Sequence, residues 1–186
     1  MVVDGLDSGW LSLEAAEQLF DVAGSFVDLI KIGWLTPRFI ETPYLRKKLE
    51  LYRRNGIFTF FGGMLLEAAH LQSRADDVIA EAADFGFDAM EVSDSVVRLD
   101  VDRKLQLVDK VKTAGMRVIV EVGGKGDRVE LVPSEVVPVV QRFLAAGAHK
   151  VILESEQVEN LFAGKSTDVD IDALKEIVTA VGGEHL

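Results

Sequence analysis

The sequence contains no cysteine, which excludes a disulfide framework and any thiolate-bound metal. Histidine is scarce as well. His70, His149 and His185 are the only three, and they do not cluster: His70 follows an apolar run, His149 precedes one, and His185 is near the C-terminus. Positive charge is also in deficit. Twenty Lys and Arg stand against thirty-one Asp and Glu, for a net charge of −11, which argues against nucleic acid, since phosphate backbones need basic stripes. The local basic cluster Arg46, Lys47, Lys48, Arg53 and Arg54 reads as the solvated face of one helix. No apolar run approaches the roughly eighteen residues of a membrane span, and the N-terminus lacks a signal peptide's basic region. The setting expected from these absences is a cytoplasmic enzyme or binding protein, with neither membrane nor nucleic acid as partner. At 186 residues the chain suits one domain with a sizeable core.

What the sequence does have is a set of apolar runs, each carrying charge near its C-terminal end. The stretch Phe26 to Trp34, F-V-D-L-I-K-I-G-W, has the composition of a buried strand, yet it contains Lys31. A buried lysine is costly unless a charge or water meets it. F-D-A-M-E-V-S-D carries Glu91 and Asp94, R-V-I-V-E-V-G carries Glu121, and K-V-I-L-E-S-E carries Glu154 and Glu156. Strand alternation places Leu29, Lys31, Ala89, Glu91, Ile119, Glu121, Ile152 and Glu154 on one face. Ile30, Met90, Val120 and Leu153 should then pack against helices.

Between the runs lie helical segments. Ser12 is positioned to cap a helix through Leu13, Ala16, Phe20 and Ala23, which Gly24 stops as a left-handed cap. Thr42-Pro43 makes a cap and first-turn pair for a helix running to Asn55-Gly56, and Ser73 is read as the cap of a helix ending at Gly86. Asp100 caps Val101 to Ala114, a helix begins near Pro133, and the last occupies Ile171 to Val181. Helix, left-handed glycine, short loop and strand recur, which is the pattern of βα units covering a parallel sheet. An open doubly wound sheet places its ligand at one switch point, whereas here nearly every strand end carries charge. The reading is therefore a (β/α) TIM-type barrel, one domain over residues 1–186. Six βα units are visible, and two are missing at the C-terminal end. Gly182-Gly183 is in register to cap a helix before a seventh strand. The open edge strands imply either a longer natural chain or a homo-oligomer.

Asp4, Glu91, Asp94, Glu121, Glu154 and Glu156 form an oxygen-only acidic set, which favours Mg²⁺ over zinc. Lys31 is their counter-charge and a candidate acid or base. Gly62, Gly63, Gly123 and Gly124 would let backbone N–H groups approach an anion, and Lys125 can serve the same group. Ser93 and Ser155 have no evident His/Asp partner, so a hydrolase triad is not indicated; Ser93 is grouped with the substrate-binding candidates Gly62, Gly63 and Lys125. Trp34 either walls the pocket or packs beneath a helix.

F-V-D-L-I-K-I-G-W, F-F-G-G-M-L-L-E, F-D-A-M-E-V-S-D, V-E-V-G-G-K and V-I-L-E-S-E together resemble the phosphosulfolactate synthase family, in order and over essentially the whole chain. The resemblance implies a (β/α) barrel lyase that adds sulfite to phosphoenolpyruvate with Mg²⁺, a small-anion reaction leading toward coenzyme M in methanogens. A plant branch of the family is associated with heat stress. It implies Lys31 as proton donor, Glu91, Glu121 and Glu154 as holding or orienting the metal, and Gly62, Gly63 and Lys125 as facing the anionic groups. Glu121 is grouped with Lys31 as catalytic, and Asp4, from the acidic set, with Glu91 and Glu154 as metal ligands. The family commonly has glycine at the positions of Leu35 and Ser95, threonine at Met64, and a second lysine where E-V-G-G-K stands. Two rival readings stay open: a non-catalytic homologue acting as a binding or stress-related protein, and a phosphoenolpyruvate enzyme with another nucleophile.

Overall fold

In the computed structural model the apolar runs become short parallel strands, each followed by helix. The structure describes residues 1–6, 9–124, 132–155 and 171–186. Six strands form one sheet in sequential order: β1 (Val2–Asp4), β2 (Leu29–Ile32), β3 (Phe58–Phe61), β4 (Ala89–Val92), β5 (Arg117–Gly124) and β6 (Lys150–Ser155). A doubly wound sheet reverses its strand order at a switch point; this one does not. Sequential parallel strands alternating with helices are the topology of the (β/α) barrel class, as the sequence indicated. The chain divides into two units, Met1–Glu91 with Lys110–Arg117, and Val92–Asp109 with Val118–Leu186.

In the first unit, Ser12 caps α1 (Leu13–Ala23), its hydroxyl accepting from the Ala15 N–H at 3.1 Å. The register pairs Val3 with Lys31, Lys31 with Phe60 and Phe60 with Ala89. Lys31 and Glu91 therefore share a face, and Asp4, Ile32, Phe61 and Met90 share the other. Ile30 and Ile32 are completely buried, worth about 1.5–3 kcal/mol each. Asp88 closes the other end of β3 and β4, accepting from the Thr59 N–H at 2.8 Å and its hydroxyl at 2.9 Å.

Several boundaries differ from the sequence reading. The lysine strand is only Leu29–Ile32; Phe26 lies in a 3-10 turn and is 83% exposed. Gly24 is right-handed, with φ −56°, and carries the chain on into that turn instead of making a left-handed cap. Two helices were not anticipated, α2 (Thr36–Phe39) and α4 (Gly63–Leu71). The second escaped because it is buried on most sides, so it lacks the apolar stripe that marks a surface helix. Thr42 is the first residue of α3 (Thr42–Arg54), not its cap. Ser73 sits in a turn with φ +56° before α5 (Ala75–Phe85) and does not cap it.

The second unit follows the sequence closely. Asp100 accepts from the Arg103 N–H at 2.7 Å at the start of α6 (Val101–Thr113). α7 (Pro133–Ala145) ends at left-handed Gly147, and α8 spans Ile171–Val181. β5 and β6 pair with Glu121 against Ile152 and Gly123 against Glu154, so Glu121 and Glu154 share a face. Gly123, at φ +122°, lies so close to β6 that a Cβ would sit 2.0 Å from the Glu154 carbonyl oxygen. Gly182 is also left-handed and leads into a 3-10 turn, Gly183–His185.

Candidate active site

Lys31 emerges near the C-terminal end of β2, with its side chain 20% exposed, and its Nζ lies 2.7 Å from Glu91 Oε1. Glu91 is almost wholly buried on β4. Its other oxygen, Oε2, accepts from the Gly63 N–H at 2.6 Å, at the first residue of α4. The carboxylate is thus held between an ammonium and a helix N-terminus, both of which favour its charge. Gly62 makes the arrangement possible. A Cβ there would lie 2.9 Å from the Ile32 carbonyl oxygen and 3.3 Å from the Gly33 Cα, so any side chain would be forced against the backbone at the end of β2. Of the paired glycines, Gly63 places its N–H toward an anion, and that anion is the protein's own Glu91. The Gly62 N–H is likewise engaged, donating to the Ile32 carbonyl at 3.0 Å.

Asp4 is placed differently from the metal ligand the sequence suggested. Its register partner is Ile32, which puts it on the face opposite Lys31 and toward α3. It is fully buried, and its oxygens are taken by Lys48 Nζ at 2.6 Å, the Tyr52 hydroxyl at 2.5 Å and the Leu11 N–H at 3.1 Å. Lys48, assigned to a solvated face, is also fully buried; it donates to the Leu11 carbonyl and lies 3.5 Å from the centre of the Trp10 ring. Burial pushes the Lys48 pKa down, against the pull of Asp4. Burial, reinforced by the negative charge of Asp4, pushes the Tyr52 phenol far up. The group is a sealed ionic cluster joining the segment after β1 to α3.

In the second unit, Ser95 gathers two of the expected acids. Its hydroxyl donates to Glu121 Oε1 at 2.5 Å and lies 3.5 Å from Glu154 Oε2. Both glutamates are largely buried. Lys104, on α6, is buried too; it binds Asp94 Oδ1 at 2.6 Å and the Glu121 carbonyl oxygen at 2.5 Å. Asp94 therefore tethers the segment after β4 to the helix lysine that also grips the middle of β5. Ser93 is buried just beyond β4. Lys125 and Glu156 lie outside the described residues.

Among the described residues, no group of three or more acidic or histidine side chains is close enough together to hold a metal ion. Glu121 and Glu154 around one hydroxyl are nonetheless a fitting pair for Mg²⁺. That ion commonly uses one or two carboxylates and takes its remaining ligands from water and substrate. Three important residues were missed in the sequence, Lys48, Lys104 and Ser95. For the lysines a signal was present: Lys48 falls on the Leu45, Leu49, Tyr52 stripe and Lys104 on the Leu107, Val108, Val111 stripe. A charge at the core-facing helical spacing asks for a buried partner. Ser95 has no such signal, since it sits in a loop.

Sequential parallel strands with Lys31, Glu91, Glu121 and Glu154 at or near their C-terminal ends define a protein of the (β/α) barrel class, with its charged groups where such folds carry chemistry. Over 98% of this chain and 76% of the other, the fold matches a crystal structure of 3-hexulose-6-phosphate synthase, with TM-score 0.55 and 18% identity. The chain belongs to the (2R)-phospho-3-sulfolactate synthase (ComA) family, whose model matches residues 1–186. It is 32% identical over 155 residues to the phosphosulfolactate synthase of Methanothermobacter thermautotrophicus, covering 82% of this chain and 59% of that protein. The corresponding protein of Methanocaldococcus jannaschii is 29% identical over 154 residues, covering 82% and 61%. The chain thus spans about six-tenths of the length of these relatives. Among the described residues, no helix is long and apolar enough to cross a membrane.

Proposed function

We propose that this chain carries the phosphosulfolactate synthase reaction of its family, the addition of sulfite to phosphoenolpyruvate. The sulfite sulfur forms a bond to the methylene carbon, the carbon–carbon π pair moves toward the carboxylate, and one proton is delivered to the carbon bearing the phosphate. No oxidant or reductant is needed. The observation that carries the reading is the Lys31–Glu91 ion pair near the strand ends of a chain matched throughout by the family.

In this reading Lys31 attracts the anionic substrate and then gives its proton to the carbon. Glu91 holds the ammonium in place, and the Gly63 N–H holds Glu91. In the second unit, Glu121 and Glu154 would hold Mg²⁺, with Ser95 orienting Glu121. Mg²⁺ would supply positive charge to stabilise negative charge developing in the reaction. Asp4 serves the fold.

The test is phosphoenolpyruvate consumption by the 186-residue chain with Mg²⁺, with and without sulfite. Turnover should require sulfite. Lys31→Met should lower it by roughly 10²–10⁴-fold, at a temperature where circular dichroism shows the variant folded. Turnover without sulfite, or an unchanged rate in the folded variant, would refute the assignment.

A further inference from the structure

The turn that follows β2 holds a side chain the mechanism above leaves unused. Trp34 has φ +52°, in the left-handed region where a bulky residue is a genuine outlier. It is also 51% exposed. The sequence offered two roles for it, and its exposure is at odds with packing beneath a helix.

The surrounding contacts compel the conformation. The Gly33 N–H donates to the Asp4 carbonyl at 3.0 Å, and the Thr36 N–H donates to the Gly33 carbonyl at 3.2 Å. The Thr36 side chain, itself buried, accepts from the Leu6 N–H at 3.1 Å. Gly62 packs so closely that its Cβ would lie 3.3 Å from the Gly33 Cα. Glycine at position 34 would satisfy this geometry with no steric cost. The chain instead places an indole there, strained and only half covered, at the strand end that carries Lys31. Strained residues that persist because their neighbours over-determine them are concentrated at ligand sites.

We infer that Trp34 is a substrate-contacting, specificity-determining residue, whose indole offers an apolar π face to a planar, unsaturated carboxylate drawn in by Lys31. The inference rests on the phosphoenolpyruvate reading given above and deepens it. An indole face suits a flat conjugated acid better than a tetrahedral anion, because only the former presents a π surface of its own.

Calorimetric titration with phosphoenolpyruvate, together with urea unfolding, tests this on the full chain and on Trp34→Phe and Trp34→Gly. Trp34→Gly should hold or raise the urea midpoint and weaken binding about tenfold. Trp34→Phe should keep binding within about threefold of the parent, since a smaller aromatic face remains. Equal affinity in the parent and Trp34→Gly would overturn the inference and leave the proposed reaction standing. A lower midpoint in Trp34→Gly would also overturn it, because the ring would then be structural. No binding by the parent chain would overturn both the proposed reaction and the role of Trp34.

Discussion

Replacing Lys48 by methionine keeps most of the side-chain stem and removes the charge from the sealed cluster beside β1. The lysine is fully buried, with Asp4 at 2.6 Å, the Leu11 carbonyl as acceptor and the Trp10 ring beneath it. Without the ammonium, the Asp4 carboxylate keeps, among the described residues, only the Tyr52 hydroxyl and the Leu11 N–H, and no counter-charge. Removing one member of a buried ion pair typically costs about 3–5 kcal/mol. Whole-domain stabilities are about 5–15 kcal/mol, so the variant should fold but be markedly weakened. With an m value of about 2 kcal/mol/M, the urea midpoint should fall by about 1.5–2.5 M while m stays unchanged. Neutralising both partners, in Asp4→Asn/Lys48→Met, removes the orphaned charge. A double-mutant cycle should then show a coupling of about 1–3 kcal/mol. A fall of less than about 0.5 M in Lys48→Met, at unchanged m, would show that water or another group compensates Asp4, and would refute the reasoning.

Three further outcomes are expected. The pH dependence of stability should carry opposite contributions from Lys48 and Tyr52. The Lys48 pKa is lowered on folding, so the unfolded chain holds that proton more tightly, and the contribution rises with pH toward about 10.5. The Tyr52 pKa is raised, so its contribution is full below about 10 and is lost above. Tyr52→Phe should therefore remove part of the alkaline fall; urea midpoints from pH 7 to 11 that decline as steeply as the parent's would contradict this. Gly123→Ala combines a positive φ with a 2.0 Å approach to the Glu154 carbonyl, and should cost about 2 kcal/mol or more; an unchanged urea midpoint would sink that account. Mg²⁺ should raise the thermal midpoint by binding the native state only, and EDTA should reverse the rise. Glu121→Gln/Glu154→Gln should abolish the effect, and the same rise in that double variant would place any bound metal elsewhere.

The sequence by itself determined the βα repeat and which face each strand residue takes. Strand alternation has a period of two, so Lys31 had to share a face with Leu29, and Glu121 with Ile119, whatever lay around them. Left-handed glycines at Gly86, Gly115 and Gly147 marked helix ends by their own backbone freedom. These signals are local, and local signals survive in one dimension. The tertiary structure alone decided how charges were paired. Asp4 and Glu91 look alike in sequence, each an acid in or ending an apolar run. Register turned one toward α3 and its buried lysine, and the other toward Lys31 and the first N–H of α4. Lys48 and Lys47 are neighbours in a basic run, yet the roughly 100° of helix phase between them buries the first and leaves the second exposed. The identity of an ion-pair partner depends on contacts tens of residues away in the chain, such as 60 between Lys31 and Glu91. The phase and register that create those contacts are set only when strands and helices pack.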